Sequence, residues 1–422
     1  MTRIALLVLL ASLASDLGAQ APDSNLALAR RVLASTPLID GHNDLPWAIR
    51  NHRAAPGDVE AYDLRQRTPG HTDLERLRAG MVGGQFWSVY IPGEIRDSGY
   101  ARVQLEQIDI GRRVIAKYPE AFQSALTADQ MRQAFAAGRI GSVLGMEGGH
   151  AIENSLGALR AYYELGVRYM TLTHNVTLEW ADAALDSTRH DGLTRFGEEV
   201  VREMNRLGML VDLSHTSPAT MSDALNVAEA PVIFSHSSAR AIVDHPRNVP
   251  DSILRRLSAN GGVVMVTFVT SFISRPAREH GQARGRAEAD LRRRFPNDSA
   301  GQRRGLEQWD RTNPRPAVRL GEVADHIEHV RRAAGVDHVG IGSDFDGIEE
   351  TIEGLEDVST YPALFAELAR RGWSESDLRK LAGLNILRAM SRAQEVAIRL
   401  RRERPPSPKT IVELDRRPAS DR

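Results

Sequence analysis

The sequence predicts an α/β fold, a closed (β/α)8 TIM barrel carrying a surface insertion before its eighth strand. Three observations predict it. Short β-rich apolar runs alternate with amphipathic stretches, the pattern of βαβ units and a parallel sheet. The runs number eight, the count at which such a sheet closes into a barrel. Histidines and acids follow most of the runs directly, and in barrels the working residues sit at the C-terminal strand ends. The strand pattern alone also leaves an open doubly wound sheet as an alternative.

Residues 22–36 read as a lead-in helix. The expected strands are Pro37–Gly41, Gln85–Ile91, Gly141–Gly145, Arg168–Leu172, Met209–Leu213, Val232–Phe234, Gly262–Phe268 and His338–Gly342. Between the last two, residues 274–319 are Arg-rich, with scattered Pro and Gly and little apolar content. They are expected to form a partly helical insertion, either a solvated excursion or a lid over the strand ends. A helix around Val323–Ala334 then leads into the eighth strand. Ser374 to Asp377 resembles a capping box, and Leu378, Leu381, Leu384 and Leu387 recur behind it at helical spacing as core packing. Residues 22–400 thus make one domain, and the charged, Pro-rich residues 401–422 a loosely held tail.

The bulk numbers agree and exclude some functions. Of 422 residues, 42% are apolar and 26% charged, as in ordinary globular chains. The 54 basic residues balance 55 acidic ones, which argues against nucleic-acid binding, a task that needs a basic surface to displace counterions. With no cysteine, disulfides, thiolate metal sites and a cysteine nucleophile are all excluded. Arg3, the apolar run Ile4–Ala14 and the small residues up to Ala19-Gln20-Ala21 have the layout of a secretory signal peptide, residues 1–21. Export to the periplasm or beyond is therefore expected. The run is too short to span a bilayer, and no later stretch is apolar enough, so no stable membrane anchor is expected after cleavage.

The chemistry lies behind the strands. Strand one is followed by His42-Asn43-Asp44, strand three by Met146-Glu147-Gly148-Gly149-His150, and strand four by Thr173-His174-Asn175. Strand five is followed by Ser214-His215, strand six by Ser235-His236-Ser237 and strand eight by Ser343-Asp344-Phe345-Asp346. A lone histidine here would be a satisfied structural group; several converging on one barrel mouth are a metal site. Imidazoles and carboxylates without thiols suit zinc. Alternate strand residues share a face, so His42 and Asp44 are expected to enter the mouth together.

This H-x-D element, with later histidines and a final aspartate, resembles the amidohydrolase superfamily. Asp40-Gly-His-Asn-Asp-Leu-Pro46, Gly145-Met-Glu-Gly148, Leu172-Thr-His-Asn175, Trp180-Ala-Asp182, Asp212-Leu-Ser-His215, Phe234-Ser-His-Ser-Ser238, Arg247-Asn-Val-Pro-Asp251 and Asp344-Phe-Asp-Gly347 narrow the match. So does Gly354-Leu-Glu-Asp-Val358 with Tyr361-Pro362. Together, from about Ala34 to Arg392, they resemble the membrane (renal-type) dipeptidases and their bacterial relatives.

The resemblance implies two Zn2+ ions per chain. His42 and Asp44 would hold one, His215 and His236 the other, and Glu147 would bridge them. It implies a dipeptidase in which a hydroxide shared by the metals attacks the peptide carbonyl, with Asp344 as general base and then acid. His174 would stabilise the oxyanion, and Arg247 would grip the substrate's carboxylate. D-residues at the C-terminal position and a homodimer, here non-covalent, also follow the family. A related amidohydrolase acting on N-acyl-amino acids or β-lactams, or a zinc-binding barrel without catalysis, are the alternatives. His150, Trp180, Asp182 and Asp346 are expected to support the site or its turns, and His245, His326, His329 and His338 not to be ligands.

Overall fold

A computed structural model describes residues 23–95 and 99–415; the expected signal peptide, residues 1–21, lies outside them. The sheet is all parallel. Its strands are β1 (Leu38–Asn43), β2 (Val82–Ser88), β3 (Phe122–Ser124), β4 (Ile140–Glu147), β5 (Val167–Thr171), β6 (Leu210–Asp212), β7 (Ile233–Phe234), β8 (Val263–Val266) and β9 (Val339–Ile341). The order runs β2-β1-β9-β8-β7-β6-β5-β4, and pairing of β2 with β4 closes the ring. The eight expected runs are the eight barrel strands. β3 was not expected. It pairs with the first residues of β4, at Phe122 with Ile140, beside the ring. Three residues with one buried side chain are too few for a hydrophobic period to register.

Buried strand residues Ile39, Phe86, Val143, Tyr169, Ile233, Val263 and Met265 share one apolar cluster with Met131 and Ile386 of flanking helices. The connections are helical because their ends are marked. Thr194 caps the helix Arg195–Leu207 by accepting from Gly197 N–H, and Gly208 ends it at φ 83°, a conformation glycine adopts without Cβ strain. Ser217 caps the helix Pro218–Val227, whose first residue is proline. No helix among the described residues is long and apolar enough to cross a membrane.

Three outcomes refine the expectations. The insertion is two helices, Arg275–Arg294 and Ser299–Thr312, in which only Leu291 and Gly301 are buried. Arg284 clamps them through both oxygens of Asp310, at 2.8 and 3.0 Å. Ser374 does cap a helix, accepting from Asp377 N–H, but a π-turn at Lys380–Leu384 follows. That extra residue rotates Leu384 outward, to 44% exposure, while Leu378, Leu381 and Leu387 stay buried. Of the expected loose tail, residues 416–422 lie outside the described residues, and residues 401–415 are held against the barrel domain. Ser407 O accepts from Arg160, and Asp415 accepts from the Thr194 hydroxyl at 2.6 Å and from Phe196 N–H, at the start of the Arg195–Leu207 helix.

Candidate metal centre and active site

Seven strand-end side chains meet at the barrel mouth. Glu147 is the last residue of β4, and its two oxygens face different partners. Oε1 lies 2.9 Å from His215 Nε2, 3.3 Å from His236 Nε2 and 3.8 Å from His174 Nε2. Oε2 lies 3.6 Å from His42 Nε2 and accepts from the Ser88 hydroxyl. On that second side His42 Nε2 is 3.2 Å from Asp44 and 3.9 Å from Asp344. Three sets of donors each lie within 4.8 Å of one another: His42, Glu147, His236; Glu147, His174, His215; and His42, Asp44, Asp344.

The backbone bends to bring them there. β1 stops at Asn43 after a register shift against β2, so Asp44 enters from the start of the helix Leu45–Arg50, not as the next same-face strand residue. Its N–H donates to Phe345 O, and Asp344 N–H donates to His42 O, which laces the ends of β1 and β9 together. His215 and Asp344 are held at φ 66° and 71°, left-handed values that cost a non-glycine residue energy and collect at functional sites. A Cβ at Gly347 would come 2.2 Å from Asp44 Oδ2 and 2.6 Å from Asp344 Oδ1, so only glycine lets the two carboxylates approach.

The ring nitrogens are oriented from behind. His215 Nδ1 faces Asn175 Oδ1 at 3.0 Å, so the proton sits on Nδ1 and the Nε2 lone pair points at Glu147. Asp212 accepts from the Ser235 hydroxyl at 2.6 Å, and Ser235 Oγ in turn accepts from His236 Nδ1 at 2.8 Å. Tyr169 reaches His42 Nδ1 at 3.3 Å. His42 Nε2 and Asp44 Oδ1 are buried without any hydrogen-bond partner. Buried polar atoms are nearly always paired, and a cluster of lone pairs and carboxylates aimed at one another fits a divalent cation.

The electrostatics agree. Burial holds the His215 and His236 imidazoles well below their usual range, hence neutral, as metal ligands must be. Burial opposes the charge on Glu147, but His42 and His174 outweigh it and keep the carboxyl well below the usual range. Burial lowers His42 too, yet Glu147 and Asp44 prevail and raise it well above the ordinary value. Asp344 is raised well above the carboxylate range, by burial and by the charges of Asp44 and Glu147. Burial lowers His174.

These groups open into a cavity of about 520 Å3. Arg247 lies in its wall, 2% exposed, with Nη2 2.8 Å from His236 Nε2; a metal ion held by His236 would have to displace the guanidinium from that lone pair. Burial pushes Arg247 down to about 10, still charged at neutral pH. The insertion is not a remote excursion: Ala277, His280, Gly281, Arg284 and Arg315 line the same cavity.

Other candidates lie elsewhere. His150 Nε2 donates to Ile91 O at 3.0 Å, outside the cluster. Asp182 accepts from the N–H groups of Arg189, His190 and Gly192, stapling a loop and not touching His174. Trp180 is buried against Phe196. Asp346 accepts from His71 N–H. His245 accepts from Arg247 N–H. His326, His329 and His338 bind Ile273 O, Asp251 and Gly262 O. The sequence reading assigned no role to Tyr169, Asn175, Asp212 or Ser235. Asp212 carried a signal: an acid inside an apolar strand must be satisfied by something.

The sequence matches the profile of the membrane dipeptidase family, peptidase family M19, over residues 26–404. It is 42% identical to Dipeptidase verJ of Clonostachys rogersoniana over 390 residues, 90% of each chain. It is similar to the solved dipeptidase AC at 27% identity and a TM-score of 0.70, covering 85% of this chain and 98% of that one. It is also similar to a metallo peptidase from Rhodobacter sphaeroides liganded with a phosphinate mimic of the dipeptide L-Ala-D-Ala. That match has 25% identity, a TM-score of 0.69, and covers 85% and 99% of the two chains. With profile and relative each spanning about nine-tenths of its length, the chain belongs to the membrane dipeptidase family, M19, and is a metallo-dipeptidase.

Proposed function

We propose that the chain uses two zinc ions to hydrolyse dipeptides to free amino acids. One observation carries this: Glu147 turns one oxygen to His215 and His236 and the other toward His42, as a carboxylate shared between two metals would. His42 and Asp44 would hold one ion and His215 and His236 the other. Imidazole with carboxylate favours zinc over harder cations. When bound, such a pair supplies Lewis acidity, which generates hydroxide near neutral pH and polarises a carbonyl.

The chain's own groups do the rest. Asp344 takes a proton from the attacking water and returns it to the leaving amine nitrogen; its raised affinity for protons suits a group that must both accept and donate. His174 Nε2 donates to the carbonyl oxygen as negative charge develops there. Arg247, buried and pre-oriented, pairs its two-pronged guanidinium with the substrate's terminal carboxylate. The mimic bound by the Rhodobacter sphaeroides relative ends in D-Ala, which supports tolerance of a C-terminal D-residue here. The signal-like residues 1–21 support export, and N-terminal sequencing of the secreted or periplasmic protein tests it. A non-covalent homodimer follows the family and is tested by light scattering.

The deciding experiment is dipeptide turnover by the purified chain before and after chelation and zinc return, with N-acylated dipeptides alongside. Activity on free dipeptides, lost with chelator and restored by zinc, is expected. Turnover of only the N-acylated forms, or none by zinc-loaded protein, would overturn the proposal.

A further inference from the structure

The insertion shares a wall of the substrate cavity with Arg247. Phe272, just before the insertion, lies with its ring centroid 5.3 Å from the Arg247 guanidinium carbon. Its other contacts lock it: the His245 ring packs on it at 4.3 Å, and its carbonyl accepts from Asn248 Nδ2 at 2.8 Å. From there the helix Arg275–Arg294 turns Ala277, His280, Gly281 and Arg284 to the cavity. Their spacing of three, four and seven places them on one helical face.

The polar groups on this wall are already engaged. Arg284 is clamped by Asp310, Arg315 pairs with Glu350, and His280 Nε2 bonds Asn313 O at 2.9 Å. What they leave for a substrate is the Phe272 ring, the Ala277 methyl and the open space beside Gly281. A Cβ built at Gly281 would meet nothing within 4 Å. Glycine inside a helix is destabilising relative to alanine; of the two open glycines of this helix, Gly281 is the one that lines the cavity, where a missing side chain leaves room.

We propose that this wall is the pocket for the side chain of the substrate's C-terminal residue, that it accepts large apolar side chains there, and that Gly281 sets its depth. The assignment rests on the dipeptidase reading and on Arg247 holding the C-terminal carboxylate. That contact fixes the adjoining side chain beside Phe272 and the insertion. The N-terminal residue then lies toward Tyr90 and Trp47, which pack on each other in the lining of the same cavity, with Tyr90 against His174.

The test compares kcat/KM for Ala-Gly, Ala-Phe and Phe-Gly in the zinc-loaded wild type, in Gly281→Phe and in Gly285→Phe. Gly285 is one turn further along, also with open space around it, but it does not line the cavity, so it controls for bulk on the helix. Phenylalanine is a better helix former than glycine, so both variants keep the helix. In Gly281→Phe the ratio of Ala-Phe to Ala-Gly is expected to fall about tenfold or more, with the ratio of Phe-Gly to Ala-Gly and all ratios in Gly285→Phe unchanged. Failure of the wild type to cleave Ala-Phe while it cleaves Ala-Gly would overturn the pocket and leave the dipeptidase reading standing. So would an unchanged Ala-Phe ratio, or an equal fall for Phe-Gly, in Gly281→Phe. Wild type inert on all three substrates would overturn the dipeptidase reading itself and the pocket with it.

Discussion

His215 Nε2 stands 2.9 Å from Glu147 Oε1, and neither atom brings a proton to the contact. Asn175 keeps the imidazole proton on Nδ1, and Glu147 is ionised. Two acceptors at that distance repel unless a cation lies between them. Replacing Glu147 by Gln puts an amide donor there and removes one anionic ligand. Metal content, read by atomic emission after dialysis, is expected to fall by at least one equivalent per chain, and turnover to vanish. Full metal content in the variant would refute the sharing of Glu147.

The Asp212–Ser235–His236 chain makes a separate prediction. Groups that orient a metal-binding imidazole from behind change metal affinity about 10–100-fold when removed. Ser235→Ala is expected to weaken zinc binding by that range in competition with a chromophoric chelator. An unchanged affinity would mean that packing alone orients the ring.

Asp344→Asn keeps the shape of the side chain and removes its basicity. Turnover is expected to fall about 10²–10⁴-fold with metal content near normal. If the variant stays active, the proton passes through some other group.

Arg247 is tested with substrates as well as variants. A dipeptide amide lacks the carboxylate, so the wild type should cleave it far more slowly than the free acid. Arg247→Lys preserves charge and loses the two-pronged geometry. Discrimination between acid and amide is expected to shrink about 10–100-fold in kcat/KM, the scale of a lost charged hydrogen bond. Retention of full discrimination would place the carboxylate elsewhere.

His326 governs part of the acid stability. Its ring accepts from Ala239 N–H and donates to Ile273 O, and burial lowers it to about 4 from an ordinary 6.5. As pH falls, the unfolded chain takes up the proton first. The stabilisation is therefore complete above pH 6.5 and is lost as pH drops to about 4, at up to about 1.4 kcal/mol per pH unit. Urea unfolding of chelator-treated protein across that window should show a shallower slope in His326→Gln; an identical slope would exclude His326 as a source.

Much of the barrel was legible because a parallel strand buried on both faces reads as an apolar run, and because polar residues at its end stand out against that run. His42, Glu147, His174, His215, His236 and Asp344 were all visible in this way, each one or two residues past an expected strand. β3 was not legible, being too short for periodicity. Asp44 does reach the mouth, but not by strand alternation: the β1 register shift and the lacing of Asp44 N–H to Phe345 O position it.

Local order along the chain was enough for the eight strands, the histidines and acids behind them, and the insertion's place between β8 and β9, since each is a matter of neighbouring residues. Distance across the barrel was not. Asp212 acts on His236 through Ser235, 23 residues away. Tyr169 meets His42 at a separation of 127, and the insertion turns one helical face onto a cavity it was not known to border. Closure of the sheet decides such meetings, because only a ring brings the ends of all its strands to one mouth, and no pattern within a single segment records which side chains will face each other there.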